Sequence, residues 1–463
     1  MSSGLASSLQ SPIVRVVLAV IAAGLLWILW REVRKIPAKL AVLMAAAFID
    51  MVGLLIIVPL LPFYAMKLGG NGVDVAGVHL GIGMIVAILV GAFTVAQLLS
   101  APTWGRFSDR WGRRPALLVA LGASAIAYLV FGFANSLWVL FISRIVQGAG
   151  GGTVGVIQAY VADATEPENR ARALGWLSAA TNLGVALGPV VGSLAVTVGD
   201  HPIHIGASSY RMGYAAPGIV AAVLCVLNML FAWKYLKESK DASELTVTGS
   251  HPVKQATSRE AVWNVIAHFN APSSRLIWMY AIAIGAFQGT NAILALFLAD
   301  RFEVTEKTIG YFFMYVGAIS VFTRVLLLGQ AVDRLGEARL SRIGILVLAV
   351  GMGTMPLTHT LPWLALSVAR IPLGTAFTFP CVTSMLSRVI SSRDRGLYMG
   401  LQQTFGGVAR VITPLWAGFS YDRLGSGVPF YSAAAVVFAT IFLGIGLERH
   451  TTAAREPAVS SSS

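Results

Sequence analysis

The sequence predicts an all-α membrane protein built as two related six-helix halves, and three observations carry that reading. The chain is 56% hydrophobic and only 12% charged, where a soluble domain carries roughly 25% charged residues. Apolar runs near the ~20 residues that span a bilayer recur along its whole length. A pattern of glycines, aspartates and arginines in the first half returns in the second at an almost constant offset.

Backbone groups in lipid must be bonded within their own segment, so each apolar run is read as a helix. The alternating ten-residue strands of a membrane barrel are absent. The runs cover approximately 39–66, 77–103, 115–134, 137–162, 172–198 and 212–236 in the first half, and 275–300, 307–329, 340–358, 361–388, 396–420 and 427–447 in the second. This divides the chain into an N-terminal extension (1–36), a first bundle (37–236), a polar linker (237–274), a second bundle (275–448) and a disordered tail (449–463). A short surface helix is expected in the linker near Glu260–Phe269. In the extension, Ile13–Trp30 is apolar apart from Arg15. It reads as an added membrane helix or a segment lying in the interface.

The net charge of +13 sits in short clusters between apolar runs rather than in one patch, which argues for membrane topology and against nucleic acid. Arg106, Arg110, Arg113 and Arg114 follow the second run, Arg170 and Arg172 the fourth, Arg334, Arg339 and Arg342 the eighth, and Arg388, Arg393 and Arg395 the tenth. The alternate loops mix scattered basic residues with acidic ones. The basic side, with the linker and the C-terminus, is therefore expected to be cytoplasmic. Cys225 and Cys381 lie singly in apolar runs and read as packed thiols, and the seven histidines form no metal-ligand pattern. No cofactor and no metal are expected.

The repeat is specific. Gly105, Asp109, Arg110 and Gly112 recur as Gly329, Asp333, Arg334 and Gly336, 224 residues on. Arg144 and Gly148 recur as Arg370 and Gly374, and Gly175 and Pro189 as Gly400 and Pro414, at offsets of 226 and 225. Six helices per half start both halves on the same side. That is the parallel repeat about an axis along the membrane normal found in one class of transporters, with the substrate cavity between the halves.

Four motifs bear chemistry. Gly105-Arg-Phe-Ser-Asp-Arg-Trp-Gly-Arg-Arg114 is expected in a short loop, where Asp109, Arg110, Arg113 and Arg114 can tie helix ends together by ion pairs, with Asp163 as a partner for the basic cluster. Gly184, Gly188 and Gly192 lie four apart on one helical face that admits a close neighbour, and Pro189 bends that helix. The bland alternative is ordinary membrane-helix packing. Asp50, about a dozen residues into the first run, needs a cavity or a partner at that depth. Desolvation favours the neutral form of a carboxylate, as a proton carrier requires. Arg144 is the intramembrane cation expected to couple to it; a static salt bridge or a helix cap is the alternative. Gln147, Asn182, Gln288, Asn291 and Arg410 are polar residues within apolar runs and are the candidates for the cavity wall. Arg410 either pairs with a carboxylate or meets an anionic substrate. Arg324 reads as a snorkelling structural cation.

Together these motifs resemble the major facilitator superfamily, and within it the twelve-helix drug/proton antiporters, over roughly residues 40–450. Gly105–Arg114 is similar to that superfamily's signature between helices 2 and 3. Arg144-Ile-Val-Gln147-Gly148 is similar to the fourth-helix motif, whose arginine is implicated in proton coupling. Gly184 through Gly192 is similar to the fifth-helix motif of antiporters. The first half looks most like the tetracycline/proton antiporters. The resemblance implies a proton-coupled exporter of a small lipophilic or amphipathic molecule, working as a monomer in a cytoplasmic membrane, with protons, substrate and lipid as its partners. It departs at Ala125-Ile-Ala-Tyr128, where the tetracycline antiporters carry an acid, so tetracycline is not the expected substrate. A metabolite transporter of the same fold, or a membrane sensor that does not transport, are the alternatives. No nucleotide-binding loop and no catalytic triad stand out, so neither an ATP-driven pump nor an enzyme is supported.

Overall fold

The computed structural model describes residues 38–448 except 76, 206–207, 211, 239–257 and 392–393. The N-terminal extension, residues 239–257 of the linker and the C-terminal tail of the sequence reading lie outside the described residues. Among the described residues ten helices are long and apolar enough to cross a membrane: α1 (Leu40–Gly69), α2 (Ile82–Trp111), α3 (Arg113–Gly132), α4 (Leu137–Asp163), α5 (Ala173–Asp200), α6 (Ala215–Tyr235), α7 (Pro272–Phe302), α8 (Ile309–Leu335), α9 (Glu337–Leu357) and α10 (Leu361–Val389). Two more complete the pattern, α11 (Arg395–Leu424) and α12 (Val428–Leu443). α11 is less apolar because Gln402, Gln403, Arg410, Asp422 and Arg423 lie within it. The linker contributes a short helix, Ser258–Ala267.

The helices form two six-helix bundles with matching partners. In the first, α1 packs on α5 and α6, α3 on α4 and α6, and α2 on α4. In the second, α7 packs on α11 and α12, α9 on α10 and α12, and α8 on α10. The bundles meet along α2 with α11 and α5 with α8. One end of the molecule carries the chain's linker; the opposite end carries two antiparallel hairpins, Val73–Val75 with Val78–Leu80 and Ile203–Ile205 with Ser208–Tyr210.

Two boundaries differ from the sequence reading. The first hairpin occupies the chain up to Leu80, so α2 starts at Ile82 rather than 77; positive φ at Gly70, Gly72 and Gly77 turns the chain there. The signature stretch, expected in a loop, is helical through Trp111, and the whole turn into α3 is made by Gly112 alone. Its φ of 99° is a left-handed value that favours glycine. The Glu238 carboxylate, just past α6, accepts from the Arg113 and Arg114 backbone N–H groups at 2.9 and 3.2 Å, capping α3. The second bundle repeats the device: Gly336, with φ of 74°, makes the turn into α9, and Glu448, just past α12, pairs with Arg339 and Arg342 of α9.

Within each bundle the tightest seams run through small residues. A Cβ built on Gly184, Gly188 or Gly192 would come within 2.5–2.6 Å of α1 atoms at Phe48, Leu55 and Ile56. A Cβ on Gly285 or Gly289 of α7 would come within 2.9 Å of Ala409 or Thr413 of α11. Gly105 has nothing within 4 Å of such an added atom. Gly188→Val therefore destabilises the protein by ~1–3 kcal/mol, the usual cost of overpacking, while Gly105→Val leaves the melting temperature in detergent unchanged. Equal melting temperatures for the two variants would contradict this account of the α1–α5 seam.

Candidate functional site

The helix-breaking run Gly150-Gly151-Gly152 interrupts α4 in mid-course, dividing it into Leu137–Gly150 and Thr153–Asp163. Gly152 lies against the Trp104 ring and Gly150 against Ala123, contacts no larger residue admits. The break leaves Thr153 at the start of a new helix, and its hydroxyl donates to Asp50 Oδ2 at 2.8 Å. Asp50 is 5% exposed and lies in the wall of a cavity. A carboxylate at the N-terminal end of a helix is favoured by the unpaired N–H groups there. The sequence reading missed Thr153; the four glycines in Gly148–Gly152 are the signal that would have found it.

Arg144 is 2% exposed, and no ion pair joins it to Asp50 among the described residues, so the static salt bridge that was the alternative reading is not made in this structure. Its guanidinium lies over the Phe131 ring, 5.1 Å from the centroid, and its Nε and Nη2 have no hydrogen-bond partner among the described residues. Tyr128 of α3 stands within electrostatic reach of both groups. Its ring also lies beside Gly53, one turn along α1 from Asp50. Gln147, 2% exposed, is one turn from Arg144 and within reach of the Tyr128 hydroxyl. The buried side of α4 thus holds unsatisfied donors next to, but apart from, the acid.

The cavity, about 680 Å³, lies on the linker-end half of the first bundle, against α1, α4 and α5. Asp50, Gln158, Ser178, Thr181 and Asn182 supply its polar wall. The Asn182 side chain donates to the Ser178 carbonyl at 2.6 Å. In the second bundle Gln288 and Asn291 are half-buried on α7, between the buried Ala286, Gly289, Thr290 and Ala292. Arg410 of α11 is half-buried and donates to Tyr280 Oη at 3.3 Å. No carboxylate of the described residues pairs with it.

The signature cluster is drawn together within the first bundle. Arg113 pairs with Asp109 at 2.9 Å and with Asp163 at 2.8 Å, and donates to Ser108 Oγ at 2.6 Å. Arg114 reaches the Trp233 carbonyl and Arg110 lies over the Trp111 ring. In the repeat, Gly329, Asp333 and Arg334 end α8, and the ion pair of that region joins Arg388 to Glu337 at 2.8 Å.

A third group was not anticipated from sequence. Among the described residues, every hydrogen bond and ion pair between the bundles lies at the hairpin end. Asp422, near the end of α11, accepts from the backbone N–H groups of Gly83 and Met84 at 2.9 and 2.8 Å. It thereby caps α2 from the other bundle. Ser193 donates to the Glu306 carbonyl at 2.8 Å and accepts from the Gly310 N–H at 2.9 Å. Lys307 pairs with Asp200, whose carboxylate raises the lysine's pKa, so the ammonium stays charged through neutral pH. Burial, then the charge of Glu306, pushes the Tyr214 phenol up to about 12, and it donates to Glu306 at 3.1 Å.

The family model of the Major Facilitator Superfamily matches residues 43–368 and 276–461. The chain is 25% identical over 375 residues to the class B tetracycline resistance protein of Escherichia coli, covering 81% of this chain and 86% of that one. It is 25% identical over 407 residues to multidrug resistance protein 2 of Bacillus subtilis (strain 168), covering 88% and 93%. The crystal structure of a D-xylose–proton symporter shares its fold, with a TM-score of 0.66 at 16% identity, over 87% of this chain and 96% of that one.

The Asp422 cap yields a prediction. Asp422→Asn removes the charge and weakens two cross-bundle bonds, by ~0.5–2 kcal/mol for a helix cap. In a background lacking Cys225 and Cys381, a cysteine replacing the buried Ala87, which faces Gly418 across this seam, should label several-fold faster with maleimide when Asp422→Asn is added. An unchanged labelling rate would show that the cap does not hold this end shut.

Proposed function

The chain belongs to the Major Facilitator Superfamily and transports a small molecule; on that premise we propose that it exports a lipophilic or amphipathic compound in exchange for protons, by alternating access. One observation carries the reading. The four helices at the bundle interface, α2, α5, α8 and α11, have glycines near both ends, and the two ends differ. At the hairpin end Gly83 lies against Gly418, Gly310 against Pro189 and Ser193, and Gly317 against Ala186, all across the interface. At the linker end Gly105, Gly175, Gly329 and Gly400 have nothing within 4 Å of an added Cβ. A glycine that packs against nothing is the residue needed where a backbone approaches in a second arrangement. The signature glycines are thus reserved for the closed linker end, and the hairpin contacts for the state described here.

The linker end carries the basic clusters and is read as cytoplasmic. The structure is then open inward. Substrate enters from the cytoplasm into the cavity beside Asp50, whose polar wall includes Asn182, and the proposed path continues between the bundles toward Gln147, Gln288, Asn291 and Arg410. Asp50, open to that cavity, gives up its proton inward. When the linker end closes and the hairpin end opens, substrate leaves and Asp50 takes a proton from outside. A neutral carboxylic acid returns through the closed intermediate at far less cost than a buried charge. Thr153 orients the acid, and Arg144 with Tyr128 tunes its proton affinity from the neighbouring helix. The Arg113–Asp109–Asp163 pairs fix the linker-end tips of α2 and α4 as one rigid unit.

Purified protein in liposomes with an imposed pH gradient tests this directly. Wild type should move amphipathic substrates against protons, and Asp50→Asn should lose at least ~100-fold of gradient-driven transport while still binding substrate; gradient-driven transport that survives Asp50→Asn removes the acid from the mechanism. Gly105→Leu should fold and bind but transport at a few per cent of wild type, because the linker end no longer closes. Full transport by Gly105→Leu would contradict the role given to the open glycines.

A further inference from the structure

Charge is distributed unequally between the bundles. The first holds the acid Asp50 in its wall and one buried cation, Arg144, over the Phe131 ring. The second holds Arg324, Arg370 and Arg410 within α8, α10 and α11, and none of them pairs with a carboxylate among the described residues. Arg324 and Arg370 bond within their own helices, to Ser320 Oγ at 3.3 Å and the Leu366 carbonyl at 2.9 Å. Arg410 does not; its contact is with another helix.

The helix geometry says where Arg410 points. At 3.6 residues per turn, Gly406, Ala409 and Thr413 share the face of α11 that touches α7, while Gly407 and Gly418 share the face that touches Leu98 and Gly83 of α2. Arg410 is one turn beyond both Gly406 and Gly407, on the strip between those faces. That strip looks into the space between the bundles. Gln403, seven residues earlier, lies on the same strip. Both side chains donate to one atom, Tyr280 Oη, at 3.3 and 3.4 Å, and the Tyr280 ring packs edge-on against Phe379, with centroids 5.6 Å apart. A guanidinium stays charged at any physiological pH and presents a planar fork matched to a two-oxygen anion. With no acid to meet it, the cluster offers five N–H donors less one, an amide and an aromatic wall.

We propose that Arg410, Gln403 and Tyr280 form the anion-binding end of the transport cavity, and that the substrate is an aromatic organic anion bearing a carboxylate or sulfonate. This rests on the exporter reading and narrows it. It also has an energetic consequence. A monovalent anion leaving against an entering proton moves two charges per cycle, and a membrane potential negative inside drives both. A monovalent cation leaving against one proton moves none.

The test uses 2-naphthalenesulfonate and its cationic counterpart, 2-naphthyl-trimethylammonium, with full-length protein. By calorimetric titration in detergent, wild type should bind the sulfonate and not the cation. Arg410→Gln should weaken sulfonate binding at least tenfold, Arg410→Lys less so, and Gln403→Leu several-fold, each with an unchanged melting temperature. In liposomes at equal pH on both sides, a potassium–valinomycin potential alone should drive sulfonate transport. Preference for the cation, or sulfonate binding indifferent to both Arg410→Gln and Gln403→Leu, overturns the anion site. If the pH gradient drives the cation or a neutral amphiphile with Arg410→Gln as active as wild type, the anion proposal fails and the exporter reading stands. If no gradient moves any of these classes, the exporter reading fails instead, whatever the binding shows.

Discussion

Between two helices in lipid, apolar area by itself drives little, because the hydrocarbon outside is as apolar as the neighbour; association depends on how closely backbones approach. The α1–α5 and α7–α11 seams answer that constraint with glycine. Gly184, Gly188 and Gly192 bring α5 onto the α1 backbone, and Gly285 and Gly289 bring α7 onto α11. These contacts are dense and internal to each bundle. Between the bundles α2 packs along α11 and α5 along α8, but among the described residues the hydrogen bonds and ion pairs that join them gather at one end. Each half is thus locked by backbone-close seams, while the polar ties between the halves sit at a single end, an arrangement suited to rocking of two bodies.

The polar groups follow from the same constraint. A charge in lipid surroundings is tolerated where it has a partner, a cavity or water. Asp50 has Thr153 and a cavity, placed there because three successive glycines break α4 and expose the start of a new helix turn. Arg113 has two carboxylates and a hydroxyl. Arg144 lacks such closure: it is almost wholly buried, and its Nε and Nη2 have no hydrogen-bond partner among the described residues. Buried donors left open near a carboxylate suit the proposed cycle, in which hydrogen bonds are exchanged rather than held throughout.

Much of this was legible in the sequence, for physical reasons that particular residues show. Helix number and register follow from apolar length, and the two halves from the recurrence of Gly105–Gly112 at Gly329–Gly336. Asp163 was named as a partner for the basic cluster because both lie at one end of neighbouring helices; that Arg113 is the member it pairs with was not legible. What escaped was local or long-range. Two three-residue strand pairs are too short to register against the apolar runs beside them. The helical course of the signature stretch depends on one left-handed glycine, Gly112, and on Glu238, more than a hundred residues away. The Asp422 cap joins residues 338 and 339 apart in the chain. No pattern in sequence announces a carboxylate that caps another bundle's helix.

That cap bears on how the two ends communicate. Asp422 lies at the hairpin end of α11, and Arg410 a little over three turns earlier on the same helix, with Pro414 between them. Gly400 lies farther on still, at the open end. One helix therefore carries the cross-bundle cap at the hairpin end, the cation of the proposed anion site and a glycine with nothing packed against it at the opposite end. Pro414 removes one backbone bond between the first two and permits α11 to bend there. α5 repeats the arrangement, with Ser193 at the closed contact, Asn182 in the cavity wall, Gly175 at the open end and Pro189 beside Ser193. A ligand that draws Arg410 or Asn182 toward the cavity centre pulls on helices whose far ends are the closing contacts, so occupancy and end-closure are coupled through two bent rods rather than through a chain of side chains.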